Sequence, residues 1–184
     1  QHKYGRITLQ FADPLNLEQV RTELGLPVSG PLSDTSRRSL VTRLANRTMD
    51  AINQVTAVTP GALTALALLS SQRRSVAHEE LIERCAKLLS VLHKMNARIT
   101  ARTMDEHGEL RTVSIHEAIQ MFADAGMVEV HTPEQTRKPT ERRRSERCGA
   151  GALHRVPENK RLELDTSKNH IVHFLVERGL IALS

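Results

Sequence analysis

The sequence predicts a mostly α-helical protein with one strand at its start and a small β-hairpin near its C-terminal end. Hydrophobic residues make up 39% of the 184 residues, which is enough to bury a core, but aromatic residues make up only 2%. The core must therefore be built from Leu, Ile, Val and Ala. These residues recur at helical spacing in several long segments, whereas segments of alternating polarity are short.

The first predicted element is a strand within residues 1–17. In the stretch GRITLQFADPL, Ile7, Leu9 and Phe11 alternate with polar residues, and Pro14 ends the run. A strand needs a neighbour, and no other strand is predicted nearby. We therefore expect it to be the last strand of a sheet whose other strands belong to a missing α/β domain. The chain also begins with Gln, so we expect its start to lie inside a longer protein.

A linker is predicted over residues 18–36, which include the stretch GLPVSGPLSDTS with its Gly, Pro and Ser residues. A helix follows over about 37–55, where apolar side chains form a stripe at 3.6-residue spacing. Asp34, Thr35 or Ser36 is available as its N-cap. This helix opens the main predicted domain.

Two further helices follow in close succession. The stretch TPGALTALALLSS is apolar nearly all round, which predicts a buried helix with Thr59 as N-cap and Pro60 at the first helical position. A helix over about 77–97 places Glu79 and Glu80 in its first turn, where the helix dipole favours acidic side chains.

The last part of the chain predicts a helix, a hairpin and a closing helix. A capping box from Ser114 to Glu117 opens the helix, and Gly126 ends it. MVEVHT and KRLELD predict the two strands of the hairpin, which a basic loop over 133–152 connects. The closing helix is predicted to start near residues 165–166.

The helices and the hairpin together form one predicted C-terminal domain over 37–184. Helices followed by a strand, a loop, a strand and a helix follow a winged-helix-like order. A plain β-hairpin with a long solvated loop fits the same sequence.

The sequence contains no catalytic or metal-binding motif. His78 and His116 are each followed by Glu, but neither has the second His that H-E-x-x-H requires. His170, His173 and Glu177 share one face of the closing helix, but apolar residues surround them and one helix supplies too few ligands for a metal. We therefore expect no catalytic residue, no metal and no other cofactor in this chain.

Positive charge is concentrated in the basic loop. The chain has a net charge of +5, and residues 137–147 carry six basic and two acidic side chains, a local +4. The rest is close to neutral and no aromatic residue interrupts the basic run, so we expect no nucleic-acid partner. Arg142, Arg143 and Arg144 are candidate contacts for phosphate or anionic lipid headgroups. A solvated loop without a ligand is the alternative.

Three stretches carry a resemblance to one family. They are YGRITLQFADPLNL (4–17), INQVTAVTPGALTALALLS (52–70) and LELDTSKNHIVHFLVERGLIA (162–182). They resemble, in this order, the end of the catalytic sheet, a stretch downstream of it and the closing segment of the membrane-associated glycerol-3-phosphate 1-O-acyltransferases. The resemblance implies transfer of an acyl group from acyl-CoA or acyl-carrier protein to the sn-1 hydroxyl of glycerol 3-phosphate in phospholipid synthesis.

The family's catalytic signature, H-x-x-x-x-D, is absent, because no histidine of this chain is followed by Asp at that spacing. The resemblance therefore implies that this chain alone is inactive and that its substrates bind to a preceding acyltransferase domain. The closing helix is expected to contact that domain through Lys168, Asn169, His170 and His173. The resemblance further implies a peripheral protein at the cytoplasmic face of the cell membrane, near anionic lipids.

The alternative function is a non-enzymatic, winged-helix-like module that binds nucleic acid or protein. The order of the elements and the Arg-rich loop support it, and tight duplex binding that weakens steeply with salt would favour it.

Overall fold

The computed structural model describes residues 8–71, 75–132 and 151–183, with the backbone alone for 177–183. Helices dominate these residues, as predicted, and the strands are short. The described residues divide into two compact units, one of Thr8–Thr56 and one within Ala57–Ser184.

The Thr8–Thr56 unit contains two helices, α1 (Leu17–Glu23) and α2 (Asp34–Val55), which pack against each other. Val20 of α1 and Leu40 of α2 are its buried apolar residues, and Arg47 on α2 pairs with Glu23 on α1 at 2.5 Å. Two buried side chains make a very small core for a unit of this length. The pair of helices is therefore short of buried apolar surface.

The segment before α1 forms neither helix nor strand over residues 8–16. Leu9 and Phe11, the apolar residues of the predicted strand, are 75% and 88% exposed. The prediction concerned pairing with strands outside this chain, so it stays a prediction.

The predicted linker over 18–36 contains most of a helix. Asn16 caps α1 with its side-chain oxygen, which accepts from two backbone N–H groups of the first turn at 2.9 and 3.3 Å. α2 also begins earlier than predicted. Its N-cap is Ser33, whose Oγ accepts from the N–H of Ser36 at 3.2 Å, so the three predicted cap residues lie in the first turn.

The Ala57–Ser184 unit is built around one short helix. Its helices within the described residues are α3 (Pro60–Leu69), α4 (His78–Lys94), α5 (Thr112–Asp124) and α6 (Arg161–Leu183). α3 packs against the other three, and every residue from Ala62 to Leu68 is buried. Burial also raises the pKa of the Cys85 thiol on α4 to about 12, which leaves it protonated and unreactive.

Several sequence-based predictions for this unit are confirmed. Thr59 caps α3 with its hydroxyl, which accepts from the N–H of Ala62 at 3.3 Å, and Pro60 is the first helical residue. Glu79 and Glu80 lie in the first turn of α4. α5 ends just before Gly126, whose φ of 71° favours glycine.

Five short strands form two small sheets in the described residues: β1 (Ala57–Val58), β2 (Ser75–Ala77), β3 (Arg98–Ile99), β4 (Glu129–His131) and β5 (Leu153–Arg155). β1 and β3 are parallel, whereas the other three form an antiparallel sheet in the order β2–β5–β4. β5 is the central strand, and its His154 pairs with Val76 of β2 and Val130 of β4. The winged-helix-like order stays a prediction, since the connection over 133–150 lies outside the described residues.

The predicted strand in KRLELD is wrong. A 3₁₀ turn over Glu158–Lys160 leads directly into α6. Leu164 is fully buried but Leu162 is 79% exposed, so the two leucines do not share a sheet face. The other fully buried residue in the described part of this segment is Ile171, seven residues after Leu164. This spacing is two helical turns, so both side chains lie on the same side of α6. The strand that pairs with β4 is β5, which lies before the predicted KRLELD strand in the sequence.

The predicted capping box from Ser114 to Glu117 is also wrong. α5 begins at Thr112, and Arg111 occupies the N-cap position without a side-chain cap bond. Ser114 is therefore inside the helix and buried, while Glu117 forms an ion pair with Arg102.

The two large phenylalanines of this unit should differ in their contribution to stability. Phe122 on α5 is 1% exposed, whereas Phe174 on α6 is only partly buried against the core. We expect Phe122→Ala to lower the free energy of unfolding by about 3–5 kcal/mol and Phe174→Ala by clearly less, because the second change leaves a smaller cavity. Urea denaturation of both variants measures the difference, and equal losses would contradict it.

Candidate functional site

Three of the nine histidines meet in the Ala57–Ser184 unit although they lie far apart in the sequence. His78 is the first residue of α4, His116 lies in α5 and His154 is the middle residue of β5. His78 Nδ1 is 3.0 Å from His154 Nε2, and His78 Nε2 is 2.9 Å from His116 Nε2. The central ring therefore ties α4 both to α5 and to the sheet. We call these three residues the histidine chain.

The histidine chain runs from the interior towards the surface. His154 is 1% exposed and His78 is 6% exposed, whereas His116 is half-buried. His154 Nδ1 is buried and has no hydrogen-bond partner among the described residues. A buried lone pair is tolerated better than a buried unpaired N–H. We infer that His154 Nε2–H donates to His78 Nδ1, and that His78 Nε2–H donates to His116 Nε2.

The two inner rings are held in their neutral form. Burial, together with repulsion from His78 and His116, lowers the pKa of His154 to about 4. Burial and repulsion from His116 also lower the pKa of His78 below its ordinary value of 6.5. The Glu79 carboxylate opposes both effects but does not overcome them. At neutral pH both inner rings therefore carry no charge.

The start of α4 also holds the backbone that enters β5. The N–H of His78 donates to the carbonyl oxygen of Ala152 at 2.8 Å, and the N–H of Gly151 donates to Glu79 Oε1 at 2.9 Å. Hydrogen bonds from its own backbone and from Gly151 lower the pKa of the Glu79 carboxyl. Ring, backbone and carboxylate contacts thus fix β5 to the N-terminus of α4.

The three rings of the histidine chain form a hydrogen-bonded relay. Neither His78, His116 nor His154 has an Asp at the spacing of the H-x-x-x-x-D signature. Four of the six ring nitrogens are hydrogen-bonded within the histidine chain, and among the described residues no group of three or more His, Cys, Asp or Glu side chains is arranged to hold a metal ion. The chemistry open to the histidine chain is the uptake and release of protons.

The sequence does not indicate this site. His78 and His116 stand out in the sequence only because Glu follows each, and the predicted second strand of the hairpin lies after His154. The histidines are 38 and 76 residues apart, so no local spacing indicates that they meet. A correct assignment of β5 would have placed His154 at an inward position, which is the one signal available.

The predicted contact residue Lys168 is explained within its own helix. α6 begins at Arg161, several residues before the predicted start near residues 165–166, so Lys168 lies inside the helix and not in its first turn. Its Nζ pairs with Asp165 Oδ1 at 2.6 Å, one turn earlier. The contact of Lys168 with another domain stays a prediction.

The other predicted contact residues of α6 lie away from its buried line. Asn169 and His170 are exposed, and His173 is half-buried with its ring 4.0 Å from that of Phe174, centroid to centroid. Their contact with another domain stays a prediction. The predicted headgroup contacts Arg142, Arg143 and Arg144 lie outside the described residues.

A second candidate site is an apolar surface on α2. Val41, Met49 and Ile52 are 60%, 56% and 50% exposed, and their spacing of eight and three residues places them on one side of the helix. We call them the α2 apolar face. Large side chains aligned in this way are typical of a contact surface.

The described residues include no helix with both the length and the apolar character that a membrane span requires.

Comparisons with known proteins give a consistent result. A protein-family model described as glycerol-3-phosphate acyltransferase C-terminal region matches residues 1–184. The glycerol-3-phosphate acyltransferases of Xylella fastidiosa strains M12, M23 and Temecula1 are each 25% identical to the chain over 190 residues. These alignments cover 99% of the chain but 19% of each relative, so the chain spans about a fifth of their length. No solved structure matches the chain significantly.

The histidine chain predicts that stability falls on mild acidification. Because the pKa of His154 is about 4 in the folded state against 6.5 in the unfolded state, its contribution is complete above pH 6.5 and declines as the pH falls towards 4. One pKa unit corresponds to about 1.4 kcal/mol, so we expect a loss of about 2 kcal/mol between pH 6.5 and pH 5. Urea denaturation at several pH values measures it.

A suitable control is His107→Gln, since His107 is a largely exposed histidine outside the histidine chain. This variant should keep the pH dependence of the unmodified chain. A free energy of unfolding that stays constant from pH 7 to pH 5 would contradict the prediction.

Proposed function

The chain belongs to the family of glycerol-3-phosphate acyltransferase C-terminal regions, and from this premise we propose that it is the C-terminal region of an enzyme that acylates the sn-1 hydroxyl of glycerol 3-phosphate. The acyl donor is acyl-CoA or acyl-carrier protein, and the product enters phospholipid synthesis. The match of the family over residues 1–184 carries this proposal. It also confirms the resemblance seen in the sequence.

The chemistry of this enzyme is assigned to the part that precedes the chain. General-base activation of a hydroxyl needs a histidine within hydrogen-bond reach of the acceptor, oriented by a second group. The chain has no H-x-x-x-x-D, and the rings of the histidine chain bond one another. The substrates therefore bind to the preceding acyltransferase domain, and the chain alone is inactive.

The role of this region is to support that domain, and the Thr8–Thr56 unit is its contact. The unit buries few apolar side chains of its own, while the α2 apolar face, Leu9 and Phe11 are exposed. Full burial of a large aliphatic or Met side chain stabilises by about 1.5–3 kcal/mol. Covering the α2 apolar face, which is about half exposed, therefore supplies several kcal/mol to an interface with the preceding domain.

The enzyme is placed at the cytoplasmic face of the cell membrane as a peripheral protein. Its soluble acceptor and its lipid product meet at that surface. Arg142, Arg143 and Arg144 supply positive charge towards anionic headgroups, where each basic side chain contributes about 1 kcal/mol. The local charge of +4 over 137–147 supports this placement.

The first experiment assays acyl transfer to labelled glycerol 3-phosphate by the whole protein that contains this chain. The unmodified protein should form 1-acylglycerol 3-phosphate, and its failure with both acyl-CoA and acyl-carrier-protein donors would overturn the proposed activity. The double variant Val41→Asp, Ile52→Asp should lose at least tenfold in activity, because it places two carboxylates in an apolar interface.

The matched control is Thr42→Asp, Asn46→Asp, which adds the same charge at two exposed polar positions of α2. It should retain activity within about twofold, since exposed polar changes rarely alter stability by more than about 0.5 kcal/mol. If the α2 apolar face variant is as active as this control, the proposed contact is wrong while the proposed activity stands.

A second experiment tests the membrane contact with the 184-residue chain. We expect it to cosediment with vesicles that contain phosphatidylglycerol and not with phosphatidylcholine vesicles. The triple variant Arg142→Gln, Arg143→Gln, Arg144→Gln should bind about a hundredfold more weakly, because it removes about 3 kcal/mol of attraction.

The control for this experiment removes three exposed arginines of α2, with Arg37→Gln, Arg38→Gln, Arg43→Gln. It should bind more tightly than the loop variant. Equal losses in the two variants would show that net charge alone matters, and no binding to anionic vesicles would remove the membrane contact altogether.

A further inference from the structure

The histidine chain links three elements that are distant in the sequence, and its hydrogen bonds depend on a fixed number of protons. We propose that it is a pH-operated latch, which holds β5 against the N-terminus of α4 near neutral pH and lets β5 separate from α4 when it takes up a proton. This proposal does not depend on the proposed function.

Proton counting carries the argument. Each ring-to-ring contact, of 2.9 or 3.0 Å, needs one N–H and one bare nitrogen. The outer nitrogen of His116 holds the third proton of the neutral chain. A fourth proton can bind to the three rings in two ways. It either sets two N–H groups against each other within a contact, or it occupies His154 Nδ1, which is buried and has no partner among the described residues.

The surroundings do not compensate for that extra charge. The residues of β2 and β4 that pair with His154 are Val76 and Val130, and both are apolar. On α5 the nearby Glu117 is engaged with Arg102. Arg155, which follows His154 on β5, is exposed and lies beside Glu129 of β4, 3.8 Å apart.

Glu79 on α4 is the carboxylate that acts on His78 and His154. It already accepts the N–H of Gly151 at 2.9 Å. A movement of this carboxyl group towards a protonated ring strains that bond, which anchors the entry to β5. Uptake of a proton therefore loosens β5 through the ring-to-ring contacts, and any such movement of Glu79 adds to the effect.

Hydrogen exchange of the 184-residue chain between pH 7 and pH 5 tests the latch. Protection factors correct for the intrinsic pH dependence of exchange. We expect those of the amides of Leu153–Arg155 to fall at least tenfold over this range, and to remain below those of Ala65–Leu68 in α3 at every pH. Constant protection of β5 overturns the proposal. So does a single protection factor shared by β5 and α3, which indicates global unfolding alone.

Two variants test the assignment to the histidine chain. His154→Leu should remove most of the pH-dependent loss of protection in β5. His116→Gln changes a half-buried position, and it removes the repulsion that disfavours protonation of His78 and His154. It should therefore move the loss of protection to higher pH. An unchanged midpoint in His116→Gln overturns the proposal even if His154→Leu does not fold.

Discussion

The burial of α3 on all sides is the constraint on which the rest of the Ala57–Ser184 unit depends. Seven consecutive residues, Ala62–Leu68, are buried, so no side of this part of the helix is exposed to solvent. α4, α5 and α6 cover it, and each does so with a stripe of Leu, Ile or Phe. Contact with α3 therefore fixes the positions of these three helices. The histidine chain then joins α4 to α5 and to the three-stranded sheet.

The two units differ in how much of their apolar surface they bury. In Ala57–Ser184 the core is continuous, and even the polar rings of His78 and His154 are buried because they bond each other. In Thr8–Thr56 few apolar side chains are buried, and the α2 apolar face remains in water. The Ala57–Ser184 unit therefore buries its own apolar surface, whereas the Thr8–Thr56 unit leaves much of its apolar surface exposed.

The parts of this fold that depend on local interactions were predictable from the sequence. α3 and its cap at Thr59 follow from composition and from one side-chain hydrogen bond, and the acidic first turn of α4 follows from the helix dipole. The start of α6 was not predictable, because alternation at Leu162 and Leu164 fits a strand until tertiary contacts bury one leucine alone. The histidine chain depends on long-range packing, and a local pattern indicates at most the inward position of His154 once β5 is assigned correctly.

The burial of α3 by α6 also has a consequence for biosynthesis. About 90 residues separate the end of α3 from the start of α6, so the ribosome makes the most apolar helix of the chain long before the last of its three covering helices. At typical rates of about 5–20 residues per second, α3 lacks this part of its cover for about 5–20 seconds. The native arrangement of this unit is therefore completed only after α6 has been made, although most of its core residues are already present by then.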